Sequence, residues 1–291
     1  MKREAFTTSV EDGFTCGPWR APVNIASAAA GTIHEDATAQ KLGLRGGTIA
    51  GSIHMEQFAP LALALFGEDW FAHGALSLYF QHATLDGERV RARAESVARA
   101  EGLLRARVDM IDANGAIVCA GTAGCGRADP DSEMRQRLAS VRETRGDLRM
   151  LADARVGDEV ADVAIAMPSA RLDAHLPTLT ERLAIYTTGP KRALPANLAI
   201  DVMSAVASPL IHVRGDFVGL YGGIELRFIN GPIRADTIYV AEGRVLALGE
   251  TPRTEIVWYE SLLRDESGAE IAHMIMLTRL MKASSALWRE T

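Results

Sequence analysis

Hydrophobic positions along this chain fall into two kinds of run. One kind is apolar on nearly every face. In "IHMEQFAPLALALF", residues 53–66, only His54, Glu56 and Gln57 are polar. A helix so composed is buried on most of its sides. Pro60 lies inside it and predicts a bend, because proline removes one hydrogen bond of the helix. The other kind alternates or is rich in β-branched residues. "LSLYFQH" from Leu76, "ERVRARAESV" from Glu88, "LLRARVDMI" from Leu103 and "AIVCAGTAG" from Ala116 read as strands. "DANG" at 112–115 brings the Asn and Gly that a hairpin turn between the last two strands requires. A helix that must be covered nearly all round predicts a strongly curved antiparallel sheet around it, since a flat sheet covers one side only.

The pattern then repeats. "GALSLYFQHATLDGERVRARAESV" from Gly74 aligns with "GGIELRFINGPIRADTIYVAEGRV" from Gly222, an offset of 148 residues. Leu76 meets Ile224, Leu78 meets Leu226, Phe80 meets Phe228 and Val97 meets Val245. "DANGAIVCA" meets "DESGAEIAH" at an offset of 153, with Gly115 against Gly268. A five-residue difference is easily absorbed in a loop. A period of half the chain signals a duplicated domain rather than a solenoid. The second buried helix is expected at about 197–207. The charged stretch "RADPDSEMRQRLASVRETRGDLRM", residues 127–150, reads as a helical or flexible connector. The expected organisation is an N-terminal unit at 1–126, a linker at 127–150 and a C-terminal unit at 151–291, an α+β chain of two tandem helix-and-sheet units.

Composition narrows the classes of function. The 291 residues are 48% hydrophobic, ample for packed cores, and the net charge is −6. An acidic chain without basic runs argues against nucleic acid as a partner. The longest apolar stretch, 58–67, is too short to span a bilayer, so no membrane partner is expected. The basic start "MKRE" is followed by no apolar segment of a secretory signal. Three cysteines, Cys16, Cys119 and Cys125, build no disulfide framework. A cytoplasmic protein with reduced thiols is expected. There is no Gly-rich phosphate loop, CxxC pair or HExxH, so no metal and no nucleotide cofactor is implied.

The layout resembles the hotdog fold, and its tandem form resembles a double hotdog. "RFINGPIRADTIYVAEGRV", residues 227–245, is similar to the strand-turn of MaoC-like acyl dehydratases, with Ala235 where that family usually carries Gly. "YFQHATLDGERV" is a looser first-half copy. In that family a segment Asp-x-Asn-Pro-x-His-x-Asp precedes a His-Gly-Met helix start. Here "GTIHED" places His34 on the family's His and Asp36 on the Asp that follows it. Ala29 occupies the position of the family's catalytic Asp, and Gly51 that of the helix-start His. The second half, "ERLAIYTTGPKRALPANLAIDVM", has no His-x-Asp. The resemblance therefore implies one site per chain, in the first half. The activity it implies is an (R)-specific enoyl-CoA hydratase or 3-hydroxyacyl thioester dehydratase. Its ligand would be an acyl-CoA or acyl-carrier thioester, with a homodimer as a further expectation.

Such chemistry needs an acid–base group and donors for the thioester oxygen. His34 is the candidate acid–base group, oriented by Asp36 or a water. Gly51, Ser52 and Ile53 begin the buried helix, and their amides are the candidate donors. Gly51 would let a thioester approach the backbone. His54, one turn in, is the candidate second histidine. Each has a structural alternative: a solvated loop histidine for His34, helix caps for Asp36 and Ser52, a satisfied core histidine for His54. Glu56 and Asp201 each put a carboxylate on an apolar helix, which is costly unless paired. Either could instead serve a hotdog thioesterase. A non-catalytic hotdog half that binds an acyl ligand or supports a partner is the remaining reading. Arg279 and Lys282 are candidates for coenzyme A phosphates, and Trp288 for packing on a sheet edge or partner surface.

Overall fold

The computed structural model describes residues 6–141 and 146–289. The first half opens with β1 (Ser9–Glu11) and β2 (Phe14–Cys16). Four helices follow: α1 (Asp36–Lys41), α2 (Gly51–Glu56), α3 (Ala59–Phe66) and α4 (Trp70–His73). Then come β3 (Gly74–Phe80), β4 (Val90–Ala94), β5 (Ala98–Ala100), β6 (Leu103–Asp112) and β7 (Ile117–Gly126). After α5 (Glu133–Ala139), the second half runs β8 (Glu159–Ala166), α6 (Ser169–His175), α7 (Ala184–Thr187), α8 (Ala196–Met203) and α9 (Ala207–Leu210). It ends with β9 (Gly219–Phe228), β10 (Ile238–Glu250), β11 (Thr254–Asp265) and β12 (Glu270–Met281).

All these strands form one antiparallel sheet in the order β1-β2-β4-β6-β7-β3-β9-β12-β11-β10-β8, with β5 paired to β6. The halves join where β3 meets β9: Leu76 pairs with Leu226, Ser77 with Glu225 and Leu78 with Ile224. The offset of 148 carries Leu76 to Ile224 and Leu78 to Leu226. The register therefore maps onto itself, with Ser77 and Glu225 at the centre of a two-fold relation. The hairpin turns obey the same relation. Gly115 and Gly268 adopt φ of 83° and 84°. Asp112 and Asp265 each accept two backbone N–H bonds across their turns.

The wrapped helices are the expected ones, and Pro60 acts slightly upstream of itself. α2 stops at Glu56, and Pro60 sits in the first turn of α3, where its missing N–H costs nothing. In the break, the Gln57 amide turns to the His54 carbonyl. The Ile53 carbonyl this frees accepts from Gln57 Nε2 at 3.2 Å. Phe58, Leu61, Ala62 and Met55 are all but fully buried in the common core.

The charged connector is helical in part. α5 lies on the outer face of the sheet, across the junction. Its Met134 is fully buried, and Met134 N–H donates to Ser77 Oγ at 2.9 Å. A Cβ on Gly223 would stand 2.4 Å from Met134 Sδ, so that glycine makes room for the helix. Residues 142–145 of the connector lie outside the described residues. Farther on, fully buried Glu255 accepts from the amides of Arg149, Met150 and Leu151 and from Trp288 Nε1. Trp288 thus fastens the C-terminal segment to its own half, with Arg149 and Lys282 over its ring.

Candidate active site

Between the halves opens a cavity of about 760 Å³, within the size range of small-molecule sites. The first half supplies His34, Thr48, Gly51, Ser52, His54 and Phe80; the second supplies Asn197, Asp201, Tyr221, Thr278 and Arg279. Its rim carries the exposed side chains of Ile25 and Phe217. Both histidines singled out in the sequence therefore reach one cavity, but on different terms.

His34 Nδ1 lies 2.7 Å from the Thr48 carbonyl oxygen. A carbonyl only accepts, so Nδ1 carries the proton and Nε2 keeps its lone pair in the neutral ring. Among the described residues Nε2 has no partner. The group that orients the ring is thus a backbone carbonyl, where Asp36 was expected. Asp36 is exposed and is the first residue of α1. Its Oδ1 accepts from Gly47 N–H at 2.7 Å, pinning the loop rather than the ring. The helix cap position falls on Glu35, one residue earlier than expected. Asn24 Nδ2 donates to the His34 carbonyl at 2.9 Å.

Gly47 holds this arrangement together. A Cβ there would stand 2.2 Å from the His34 carbonyl oxygen, and backbone cannot swing aside as a side-chain tip can. Gly47→Ala is expected to displace His34 and to cost about 1–3 kcal/mol. A thermal melt of the variant beside the wild type checks this; an unchanged midpoint would show that the two segments can part freely.

His54 brings a ring to the wall but no nitrogen that is both unpaired and accessible. Its Nε2 is 2.9 Å from Thr84 Oγ1, and its Nδ1 is buried without a partner. Burial lowers its pKa to about 4, so it stays neutral near pH 7. The expected pair of acid–base histidines is therefore not assembled, and His54 behaves as a core residue.

At the start of α2, Ile53 N–H and His54 N–H both turn back to the Ala50 carbonyl. Ile53 is buried and stands off the cavity wall. The Gly51 and Ser52 amides, by contrast, have no acceptor among the described residues. Gly51 is explained by packing: a Cβ there would lie 2.6 Å from the Phe80 ring. Ser52 Oγ, 3% exposed, donates to Asn197 Oδ1 at 2.7 Å across the two halves.

The two helix carboxylates part company. α2 and α8 begin at Gly51 and Ala196, an offset of 145 that sets Ser52 against Asn197 and Glu56 against Asp201. Asp201 lines the cavity, 3.5 Å from Arg171. Its side chain keeps 39% exposure at the mouth, yet the concave wall around it pushes its carboxyl above the usual range, against the pull of Arg171. Glu56 is enclosed instead. It meets His175 Nε2 at 2.7 Å and the Asn197 amide at 3.2 Å. The space related to the cavity by the two-fold relation, beside Ala196 and Phe228, has shrunk to about 30 Å³. Trp70, Phe71 and Tyr186 fill it, with Phe71 and Tyr186 edge to face at 6.0 Å. Arg279 lines the open cavity and donates to the Tyr79 hydroxyl. Lys282 stands away from it, tied to Glu250.

Sequence reasoning had no signal for Thr48, whose contribution is a carbonyl, or for Asn197, Tyr221 and Thr278, which come from the other half. No protein-family model and no curated protein matches the sequence. Solved structures resemble its fold. One described as a MaoC domain dehydratase from Chloroflexus aurantiacus superposes with a TM-score of 0.62 at 12% identity, covering 97% of this chain and 95% of its own. A double-hotdog protein from Mycobacterium tuberculosis gives 0.58 at 12% identity, over 90% and 93%. A MaoC-like dehydratase gives 0.54 at 14% identity, over 94% and 97%. The chain has a double hotdog fold.

Proposed function

We propose that the protein adds water to an enoyl thioester, or removes it from a 3-hydroxyacyl thioester, in the cavity between its halves. The observation that carries this reading is that His34 and Asp201, one from each half, line the same cavity as Gly51 and Ser52, whose amides have no acceptor among the described residues. Asp201 supplies the acid that Ala29 cannot. The MaoC-type dehydratases among the structural neighbours share this architecture.

In the hydration direction, the oxygen of a water bonds to the β-carbon while His34 Nε2 takes its proton. The electron pair of the double bond moves toward the thioester oxygen. The Gly51 and Ser52 amides stabilise the charge that develops there. The enolate collapses as the α-carbon takes a proton from the Asp201 carboxyl. The cycle closes when the imidazolium returns a proton to that carboxylate through solvent. Apolar wall residues, among them Ile33, Leu44, Ile49, Phe80 and Leu220, suit the acyl chain.

A second reading draws on the same Asp201. A cavity carboxylate could activate water against the thioester carbonyl and release a thiol. Glu56 does not serve this reading, because it is enclosed away from the cavity. The test is to follow trans-2-enoyl-CoA absorbance with a thiol reagent in parallel. Enoyl loss without thiol release supports hydration, and Asp201→Asn is then expected to lower kcat roughly 100-fold. Thiol release would move the assignment to hydrolysis. Tight binding without either change would leave a ligand-binding protein.

A further inference from the structure

The second half has lost its own cavity, but it gives a buried amide to the first. We infer that Asn197 is an oxyanion-binding residue: its Nδ2 donates to the thioester carbonyl oxygen alongside the amides of Gly51 and Ser52. This rests on the proposed thioester chemistry and names a residue for it that lies outside the loop and helix start of the first half.

Asn197 is 8% exposed and lines the cavity. It is held at two points. Its backbone N–H donates to Glu56 Oε1 at 3.2 Å, and its Oδ1 accepts from Ser52 Oγ at 2.7 Å. The orientation of the carboxamide follows from the neighbours. The Ser52 hydroxyl donates to Asn197 Oδ1, and Nδ2 is the end left over. Among the described residues Nδ2 has no acceptor. The residue lines the cavity and Nδ2 keeps some solvent contact, so a cavity ligand can reach it and take its hydrogen bond.

The neighbourhood fits a carbonyl whose charge grows during reaction. Ser52 carries the adjacent unpartnered amide, so the carboxamide and the helix-start donors lie within one hydrogen bond of each other. Neither end needs to move when charge develops, and that fixed geometry is the main source of such stabilisation. The two-fold relation explains why only one carbonyl is served. Asn197 and Ser52 are equivalent positions, but the space on the other side of the pair is filled by Tyr186 and its neighbours.

The experiment combines kinetics with the carbonyl stretch of a bound thioester, read by infrared difference spectroscopy with a 13C label at the thioester carbon of trans-2-enoyl-CoA. Asn197→Asp keeps the shape and the acceptor for Ser52 but removes the donor. Asn197→Ala removes both. Ser52→Ala frees the carboxamide while leaving it present. For Asn197→Asp, kcat is expected to fall about 100–1000-fold with KM little changed, a range typical of one lost oxyanion donor. The bound carbonyl band should return toward its frequency in water. Ser52→Ala should fall between this variant and the wild type. Melting curves identify any variant that fails to fold, and then the infrared band of Ser52→Ala decides. Wild-type kcat and an unshifted band in Asn197→Asp would overturn the inference while leaving hydration intact. If the wild type itself hydrates nothing, the proposed function fails, and the carbonyl band still tests whether Asn197 holds a thioester.

Discussion

Replacing His34 with Gln is expected to lower enoyl hydration by roughly 100–10,000-fold, the range for loss of a general acid–base group, with little change in melting temperature. The argument rests on what each nitrogen does. Nδ1–H is spent on the Thr48 carbonyl at 2.7 Å. His34 lines the cavity, Nε2 has no partner among the described residues, and in the proposed reaction it is the group that takes a proton from water. A Gln side chain can keep a donor near the Thr48 carbonyl but offers no base. Steady-state kinetics on enoyl-CoA, with a thermal melt of each protein, makes the test. A variant retaining a tenth or more of wild-type kcat would remove His34 from the reaction. Asp36→Asn provides the contrast. That carboxylate braces Gly47 N–H at the surface, so the change should touch stability by about 1 kcal/mol and leave kcat within a few-fold.

This contrast shows where sequence reading succeeded and where it stopped. The duplication was legible because its offset is written in the strands. The same 148 residues that align Leu76 with Ile224 reproduce the register of β3 on β9. The buried helices were legible because their apolar faces leave no solvent side. The MaoC-like motif pointed to His34 and to the start of α2, and His34, Gly51 and Ser52 line the cavity. Asp36 was carried over from the same motif, yet a His-x-Asp spacing says nothing about which way an exposed carboxylate turns. The group that orients the ring is a backbone carbonyl, which every residue has and no sequence marks. Glu56 and Asp201 looked alike on paper, each a carboxylate on an apolar helix. Packing separates them: Trp70, Phe71 and Tyr186 close the space beside Ala196 and Phe228, and Glu56 is enclosed against His175, while the space beside Asp201 stays open. That difference is a matter of contacts over a hundred residues apart, and a single sequence does not display it.

The closed side makes its own prediction, and it concerns stability. Glu56 and His175 are each about 5% exposed at the side chain and meet at 2.7 Å. Glu56 also accepts the amide that starts α8. Glu56→Ala is expected to destabilise the fold by about 3–5 kcal/mol, because removing one partner leaves the other buried without compensation. Glu56→Gln should cost less, since it can still accept from Asn197 N–H. The pH dependence separates this from simple loss of packing. Burial raises the Glu56 carboxyl above its ordinary value of 4.5, with the His175 hydrogen bond opposing the rise. The native state therefore holds this proton where the unfolded chain has released it. Stability from the group is complete below about pH 4.5 and declines as pH climbs through the raised folded value. Other carboxylates shape the absolute curve of the wild type, so the difference between proteins is the quantity to read. The stability gap between wild type and Glu56→Gln should narrow as pH rises above about 4.5. Urea midpoints across that range measure it. A gap that stays flat over that range would mean that the native pair keeps no extra proton, and would overturn this reading.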